Sequence, residues 1–206
     1  MNLLKRYGFI LALFILNCYF LFVTKKLKQE IEIKNDSIIE LCTEISALQP
    51  QFNAGLINVG KSIEASTEIQ DTNGNRLKLK ELFVNKKTKM LMFCRISERY
   101  CHECCELTVK KLLQSEQNFD IEKLIFLIDS SQRAIKLQVK DFNLYDYEVY
   151  NCQFLNIPAE NVMFPYYMIV DDSLTVRSIY MPNKAAFNLP IDSINLNLMY
   201  KTLIGQ

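Results

Sequence analysis

The sequence predicts one α/β domain in which helices cover both faces of a mixed central sheet, preceded by a transmembrane helix and a helical stalk. Three observations predict it: an uncharged apolar run near the N-terminus, a heptad-like segment after it, and short apolar runs alternating with amphipathic segments further along. Strand–helix–strand alternation implies parallel pairing with crossover helices. The expected boundaries are residues 1–24 for the anchor, 25–49 for the stalk, 50–58 for a linker and 59–206 for the domain.

Composition narrows the classes of function. The chain has 206 residues, of which 50% are hydrophobic, and a formal net charge of +1, so nothing in its charge favours binding to nucleic acid. The single histidine, His102, excludes a multi-histidine metal site within one chain. The 7 cysteines are an odd number spread over a long chain, which is typical of a redox or free-thiol protein rather than of a disulfide-held scaffold.

The predicted anchor is the uncharged run YGFILALFILNCYFLFV at residues 7–23, which has basic residues on both sides. A membrane span needs about 17 to 25 largely apolar residues, so this run is just long enough. No small-x-small cleavage site follows it, which favours an uncleaved single-pass anchor. Because the flanking positive charges are nearly balanced, the short N-terminal tail decides the expected orientation, with the N-terminus in the cytoplasm and the domain outside.

The predicted stalk carries apolar side chains at heptad-like spacing over residues 25–48, with Lys34 interrupting one seam position. The run covers about three heptads, the lower limit for a coiled coil. Two interpretations stay open: a stalk that forms a homodimer, or a single amphipathic helix that holds the domain off the membrane. Pro50 is expected to end the helix.

Each element of the domain follows from a local pattern. The runs KMLMFCRI, LIFLI and YYMIV are short and apolar, as in buried strands, and Asn73-Gly74 is the strongest turn signal. Strands are predicted within residues 60–70 and at 89–96, 124–128, 147–152, 166–170 and 175–180, and helices at 77–83, 101–117, 131–142 and 191–204. The last two strands form a hairpin, which adds an antiparallel edge to the sheet.

Cys101 and Cys104 carry the predicted chemistry. They are separated by two residues at the start of a helix that follows a buried strand. Positions i and i+3 lie on one face of a helix, so the two sulfurs can close a small ring. The positive end of the helix stabilises the Cys101 thiolate and lowers the pKa of that thiol. Cys101 then attacks a substrate disulfide, and Cys104 resolves the mixed disulfide.

His102 and Glu103 are expected to tune this exchange in opposite directions. A charged imidazole lowers the pKa of the Cys101 thiol, whereas a neighbouring carboxylate raises it, so the direction of electron flow stays open. Structural zinc is a competing interpretation, but the cysteines and histidine of residues 101–105 share one helical turn and cannot surround an ion tetrahedrally without distortion. Neither a metal nor a cofactor is expected.

Pro165 immediately precedes the apolar run YYMIV. A proline in front of a central strand usually serves a geometric purpose, most often through a cis peptide bond. The alternative is an ordinary trans loop proline.

From about residue 58 onward the chain resembles the thioredoxin-like superfamily, and most closely the membrane-anchored TlpA-like thiol–disulfide oxidoreductases of bacterial envelopes. The matching segments are INVGKS followed by DTNGNRL, then RISERYCHEC, and FPYYMIVD. The resemblance implies a three-layer α/β/α sandwich and a cis-proline at Pro165. It also implies that Cys101 is the nucleophile, that Cys104 is the resolving thiol, and that Tyr100 and the Phe164-Pro165 backbone edge contact the substrate.

The function implied is disulfide exchange with the thiols or disulfides of exported proteins, on the periplasmic side of a bacterial inner membrane. Arg95 departs from the family, because thioredoxins carry a proton-relaying acid at that position. Two alternatives therefore stay open: a redox-inactive binding or sensing module, and a thiol metallochaperone. Glu160 can assist proton transfer, although a solvated loop acid is the expectation. Cys94 and Cys105 are expected in the core.

Overall fold

The computed structural model describes residues 2–114, 121–182 and 191–204. The chain divides into two compact units, Met1–Ser46 and Ala47–Gln206. Helix α1 (Asn2–Asn58) begins in the first unit, and its final turns belong to the second.

The predicted anchor at residues 7–23 is not confirmed. Side chains up to residue 12 lie outside the described part of the chain, and the described part of the run, from Leu13 to Val23, is soon followed by Lys25 and Lys26. Within the described residues, no helix combines the length and the apolar content that a membrane crossing requires. The homodimer through the stalk stays a prediction.

The prediction that Pro50 ends the helix is wrong, because α1 continues to Asn58 through the segment predicted as a linker. A proline inside a helix removes one backbone hydrogen bond and normally breaks the helix. Here Ala54 and Asn58 are buried in the domain. Asn58 Nδ2 donates to Ala54 O at 2.9 Å, and Asn58 Oδ1 accepts from Ala159 N at 2.8 Å. These tertiary contacts hold the end of the helix in place.

Among the described residues seven strands form one mixed sheet; the mixed sheet was predicted, but the sequence patterns predicted only six strands. The seven strands are β1 (Glu68–Asp71), β2 (Arg76–Lys78), β3 (Met90–Ser97), β4 (Leu124–Asp129), β5 (Glu148–Asn151), β6 (Tyr166–Asp171) and β7 (Val176–Tyr180). Their spatial order is β2-β1-β5-β4-β3-β6-β7. The three central strands β5, β4 and β3 run parallel, and the outer pairs are antiparallel. The strand β2, which the sequence patterns did not predict, pairs with β1 around the Asn73-Gly74 turn.

In the part of the chain that the structure describes, four further α-helices connect or cover the strands: α2 (Leu79–Lys86), α3 (His102–Gln114), α4 (Gln132–Asp141) and α5 (Ile191–Ile204). The last residues of the predicted helix 101–117 lie outside the described part of the chain. Two apolar clusters fill the two sides of the sheet, one with the end of α1 and with α2, the other with α3, α4 and α5. Successive side chains of β3 lie on opposite faces of the sheet: Leu91 and Phe93 belong to the first cluster, and Met92 and Cys94 to the second.

Candidate functional site

The loop that carries the cysteine motif is anchored at the carboxyl ends of β3 and β4. Because these strands are parallel, their carboxyl ends meet at one edge of the sheet. Ser97 Oγ donates to Asp129 Oδ2 at 3.0 Å, and Glu98 N donates to Asp129 O at 3.1 Å. Ser130 Oγ donates to Glu98 Oε2 at 2.8 Å. These contacts fix the direction in which the chain enters α3.

Cys101 is the residue that caps α3. Its carbonyl accepts the first backbone hydrogen bond of the helix, from Cys105 N at 3.0 Å. Cys101 is exposed, whereas Cys104 and Cys105 are each only 4% exposed. Tyr100 and Cys105 flank the cap at the positions of a hydrophobic staple, and Tyr100 packs against the cluster that contains Cys105. The structure therefore places one cysteine of the motif at the surface and the other beneath it.

Two further thiols lie below the motif. Burial raises the pKa of Cys105 to about 11, and nearby Cys104 and Cys101 raise it further. The Cys105 thiol donates a hydrogen bond to Ser97 O at 3.9 Å. Burial also raises the pKa of Cys94 well above its usual range. Both cysteines are buried in the core, as the apolar pattern predicted.

His102 lies against the end of α4. Its ring stacks on Phe142, with the ring centroids 6.0 Å apart and the planes inclined by 26°. Phe142 is the residue that ends α4. The contact positions the imidazole beside the cap of α3, and it leaves His102 exposed.

Arg95 and Glu160 form a buried ion pair that sequence reasoning did not foresee. Arg95 lies on the central strand β3 and is fully buried, and the Glu160 side chain is 12% exposed. Arg95 Nε donates to Glu160 Oε1 and Nη2 to Oε2, each at 2.9 Å, which makes the contact bidentate. The expectation of a solvated loop acid at Glu160 is therefore wrong. A charged residue inside the run KMLMFCRI was the only sequence signal, because a buried charge requires a partner.

The remaining donors of Arg95 bind the chain that follows β5. Arg95 Nη1 donates to Cys152 O, and Nη2 donates to Gln153 O at 2.9 Å. Burial opposes the charge on Arg95, but the hydrogen bonds and charge of Glu160 outweigh it and raise the pKa of the guanidinium. One side chain thus joins β3 to two segments distant in sequence.

Two tyrosines border the ion pair. Tyr166 Oη donates to Glu160 Oε1 at 2.6 Å, and burial raises the pKa of Tyr166 well above its usual range. Burial also raises the pKa of Tyr100 to about 12, with the charge of Glu160 adding to the effect and that of Arg95 opposing it. Both phenols are therefore hydrogen-bond donors at neutral pH.

A groove of about 590 Å³ opens beside Tyr100. Arg99 stands at its rim, 5.3 Å above the ring of Phe154, with Nη2 at 2.8 Å from Asp129 Oδ2. Phe154 and Met163 present exposed apolar surface to the groove. Because its acids are paired with arginines, the groove combines apolar walls with little net charge.

Pro165 lies at the same edge of the sheet as the motif. Tyr166 pairs with Arg95 in the antiparallel register of β6 and β3, so Pro165 is one residue beyond this last pair. Among the described residues no peptide bond is cis, so the predicted cis bond before Pro165 is wrong. The trans form is favoured by about 0.5–1 kcal/mol, and a proline before the first paired residue removes no ladder hydrogen bond. The backbone before β6 instead turns at Met163, two residues before Pro165, where φ is 54°.

The described part of the site contains thiols but no cluster of metal ligands. Among the residues that the structure describes, no group of three or more His, Cys, Asp or Glu side chains is placed to hold a metal ion.

Comparisons with known proteins identify the fold. The structure is similar to a C-terminal domain assigned to a thiol–disulfide oxidoreductase of Bacteroides thetaiotaomicron, with a TM-score of 0.51 and 10% sequence identity, over 72% of this chain and 97% of that one. The chain has the thioredoxin-like fold. Identity this low shows the fold alone.

Other structures are similar to this chain with lower scores. A thiol:disulfide interchange protein from Bacteroides sp. has a TM-score of 0.47 and 15% identity, over 68% of this chain and 91% of that one. A peroxidoxin from Mycobacterium tuberculosis has a TM-score of 0.47 and 11% identity, over 69% of this chain and 97% of that one. No protein-family model matches the sequence, and no curated protein matches it either.

Proposed function

We propose that the chain is a membrane-anchored thiol–disulfide oxidoreductase of the TlpA-like type that exchanges disulfides with exported proteins. Cys101 is the nucleophile and Cys104 the resolving thiol. The observation that carries the proposal is the placement of the two residues at the cap of α3, with Cys101 exposed and Cys104 buried in the first turn. An exposed cysteine at a helix N-terminus meets a substrate disulfide, and a buried partner one turn along meets only the mixed disulfide that results.

The reaction balances within the motif. The Cys101 thiolate attacks one sulfur of the substrate disulfide, that S–S bond breaks, and the first substrate sulfur leaves as a thiolate and takes a proton. Cys104 then loses its proton and attacks Cys101 Sγ, which releases the second substrate sulfur as a thiol. The substrate gains two electrons, and Cys101 and Cys104 lose two as they form a disulfide. The reverse sequence oxidises a substrate dithiol.

Substrate contacts are assigned to the surface around Cys101. The groove beside Tyr100 supports this assignment because its apolar wall, with Phe154 and Met163, suits a peptide segment that flanks a disulfide. Phe164 and Pro165 supply the backbone edge immediately before β6 begins. His102 and Glu103 adjust the stability of the Cys101 thiolate from the first turn of α3.

A thiol titration tests the proposal. The full chain is equilibrated with a series of glutathione buffers, and the redox state of the peptide that contains Cys101 and Cys104 is read by mass spectrometry. We expect a reversible two-electron transition that disappears in Cys101→Ser and persists in Cys42→Ser, a matched change of an exposed cysteine on α1. A titration without a transition contradicts the proposal and favours a redox-inactive binding module.

The membrane anchor forms a separate part of the proposal. It is supported by the uncharged sequence of residues 7–23 and by the exposure of the large apolar side chains in its described part, which are 50–67% exposed from Leu13 to Phe22. An exposed apolar surface of this extent usually marks contact with a membrane or with another protein. We expect the chain to sediment with membranes and to resist extraction at high pH, with the domain open to added protease only from outside the cell membrane. Recovery in the soluble fraction contradicts the anchor without affecting the redox proposal.

A further inference from the structure

Three cysteines, and not two, meet at the start of α3. Cys101 caps the helix, and Cys104 and Cys105 are its third and fourth residues. In a helix both i+3 and i+4 are neighbours of residue i on one face. Cys101 therefore has two cysteines within one turn on its own side, and the Cys-x-x-Cys spacing describes only one of them.

The contacts of Cys105 keep its sulfur close to the cap. Its backbone N–H binds Cys101 O at 3.0 Å, and its thiol donates to Ser97 O at 3.9 Å, in the strand end directly before the motif. Cys104 and Cys105 are equally buried, so burial does not distinguish them as partners of Cys101. The Cys105 thiol also lies within electrostatic range of both other sulfurs.

We propose that Cys105 is a second resolving thiol, so that a mixed disulfide at Cys101 closes onto either Cys104 or Cys105. The inference rests on the proposed function, because a mixed disulfide at Cys101 must form first. In the step, the Cys105 thiol loses its proton and its sulfur attacks Cys101 Sγ. The bond from Cys101 to the substrate sulfur breaks, and that sulfur leaves with the electron pair and takes a proton. A Cys101–Cys105 disulfide forms, and the substrate is reduced by two electrons.

The environment of Cys105 gives this closure a distinctive pH dependence. Since burial raises the pKa of Cys105 to about 11, only a small fraction is thiolate at neutral pH. The rate of closure onto Cys105 then rises about tenfold for each pH unit below that value, because the thiolate is the attacking species.

The experiment removes Cys104 and follows the adduct on Cys101. Full-length chain carrying Cys104→Ser is reacted with dithiodipyridine, and residues 100–110 are recovered by trypsin as one peptide that holds the motif and no other cysteine. We expect the thiopyridyl adduct to form and then to disappear, leaving a peptide with an internal disulfide. Its decay is expected to be independent of protein concentration and to accelerate about tenfold per pH unit. We expect the adduct to stay on two double variants, Cys104→Ser/Cys105→Ser and Cys104→Ser/Cys105→Ala. Two replacements of Cys105 are used because its side chain is buried, and the test needs only one variant that folds.

Controls separate this inference from the proposed function. Cys104→Ser/Cys42→Ser is expected to behave as Cys104→Ser, since Cys42 is on α1. An adduct that stays on Cys104→Ser, while the wild-type chain closes its ring, overturns the role of Cys105 and leaves the proposed function intact. An adduct that stays on the wild-type chain overturns both. Decay that persists in a folded double variant also overturns the role of Cys105, because another thiol is then responsible.

Discussion

Arg95 and Glu160 form a bidentate ion pair in the interior of the domain, with both N–O distances at 2.9 Å. Arg95 lies on β3, the strand that leads to Cys101. Glu160 lies in the 3-10 turn Pro158–Val162, which leads to Pro165. Ala159, the residue before Glu160 in that turn, donates its backbone N–H to Asn58 Oδ1. The two sequence segments that form the candidate site are therefore linked beneath the surface by buried polar contacts.

The first prediction concerns Arg95→Met, which leaves Glu160 as a buried charge without its main partner. Breaking a buried ion pair on one side lowers the free energy of unfolding by about 3–5 kcal/mol. Arg95→Met/Glu160→Gln removes the remaining charge and keeps an acceptor for Tyr166, so we expect it to recover more than half of the loss. Urea unfolding followed by near-ultraviolet circular dichroism measures the free energy of unfolding of the single and the double variant. A single variant as stable as the wild type, or a double variant no better than the single one, contradicts the prediction.

The second prediction concerns Asn58→Ala at the end of α1. The substitution leaves the buried Ala159 N–H without its acceptor, which lowers the free energy of unfolding by about 1–3 kcal/mol. The matched control is Asn53→Ala, an exposed asparagine on the same helix, for which we expect no loss because alanine favours helix. Equal stability of the two variants would show that the contact with the turn does not anchor the helix.

The third prediction is a pH dependence at Asp171, at the end of β6. Burial raises the pKa of this carboxyl, but hydrogen bonds from Ser173, Thr175 and Arg177 outweigh burial and hold the pKa below its usual value. A lowered pKa in the folded state stabilises the protein above the unfolded pKa of about 3.9, and this contribution is lost as the pH falls through the folded pKa.

Asp171→Asn should therefore lower the free energy of unfolding at neutral pH by about 1.5–3 kcal/mol and make stability less sensitive to acid below about pH 4. The exposed neighbour Asp172→Asn is the control, and we expect it to follow the wild-type profile. Thermal unfolding measured from about pH 2 to 7 gives both curves. Parallel curves for Asp171→Asn and the wild type would argue against the role of this carboxylate.

The fourth prediction concerns Phe154, which is exposed at the groove beside Tyr100. If the groove holds the substrate segment next to the disulfide, Phe154→Ala weakens that contact by about 1–2 kcal/mol, a fivefold to thirtyfold loss in kcat/KM for peptide disulfides. Reduction of a small disulfide such as oxidised glutathione should hardly change. Val84→Ala, an exposed apolar side chain on α2, is the control. Equal losses for both substrates would assign Phe154 to folding and not to substrate contact.

Elements with strong local patterns were predicted correctly from the sequence. The apolar runs of β3, β4 and β6 and the motif at the start of α3 appear where the patterns placed them. Short or polar elements were missed, because their stability comes from partners distant in sequence. The strand β2 has three residues and exists through its pairing with β1, and the 3-10 turn at Pro158–Val162 is fixed by Asn58 and Arg95.

The sequence by itself determined the order of the longer strands and helices and the positions of Cys101 and Cys104 at a helix start, because periodicity and spacing are local properties of the chain. Only the tertiary structure decided that Glu160 is a buried partner of Arg95, that α1 continues past Pro50, and that the bond before Pro165 is trans. The ion pair and the continuation of α1 depend on contacts between residues far apart in sequence, whereas the bond before Pro165 has the isomer that is favoured locally. The free energy of such contacts outweighs a local preference, and no local pattern encodes it.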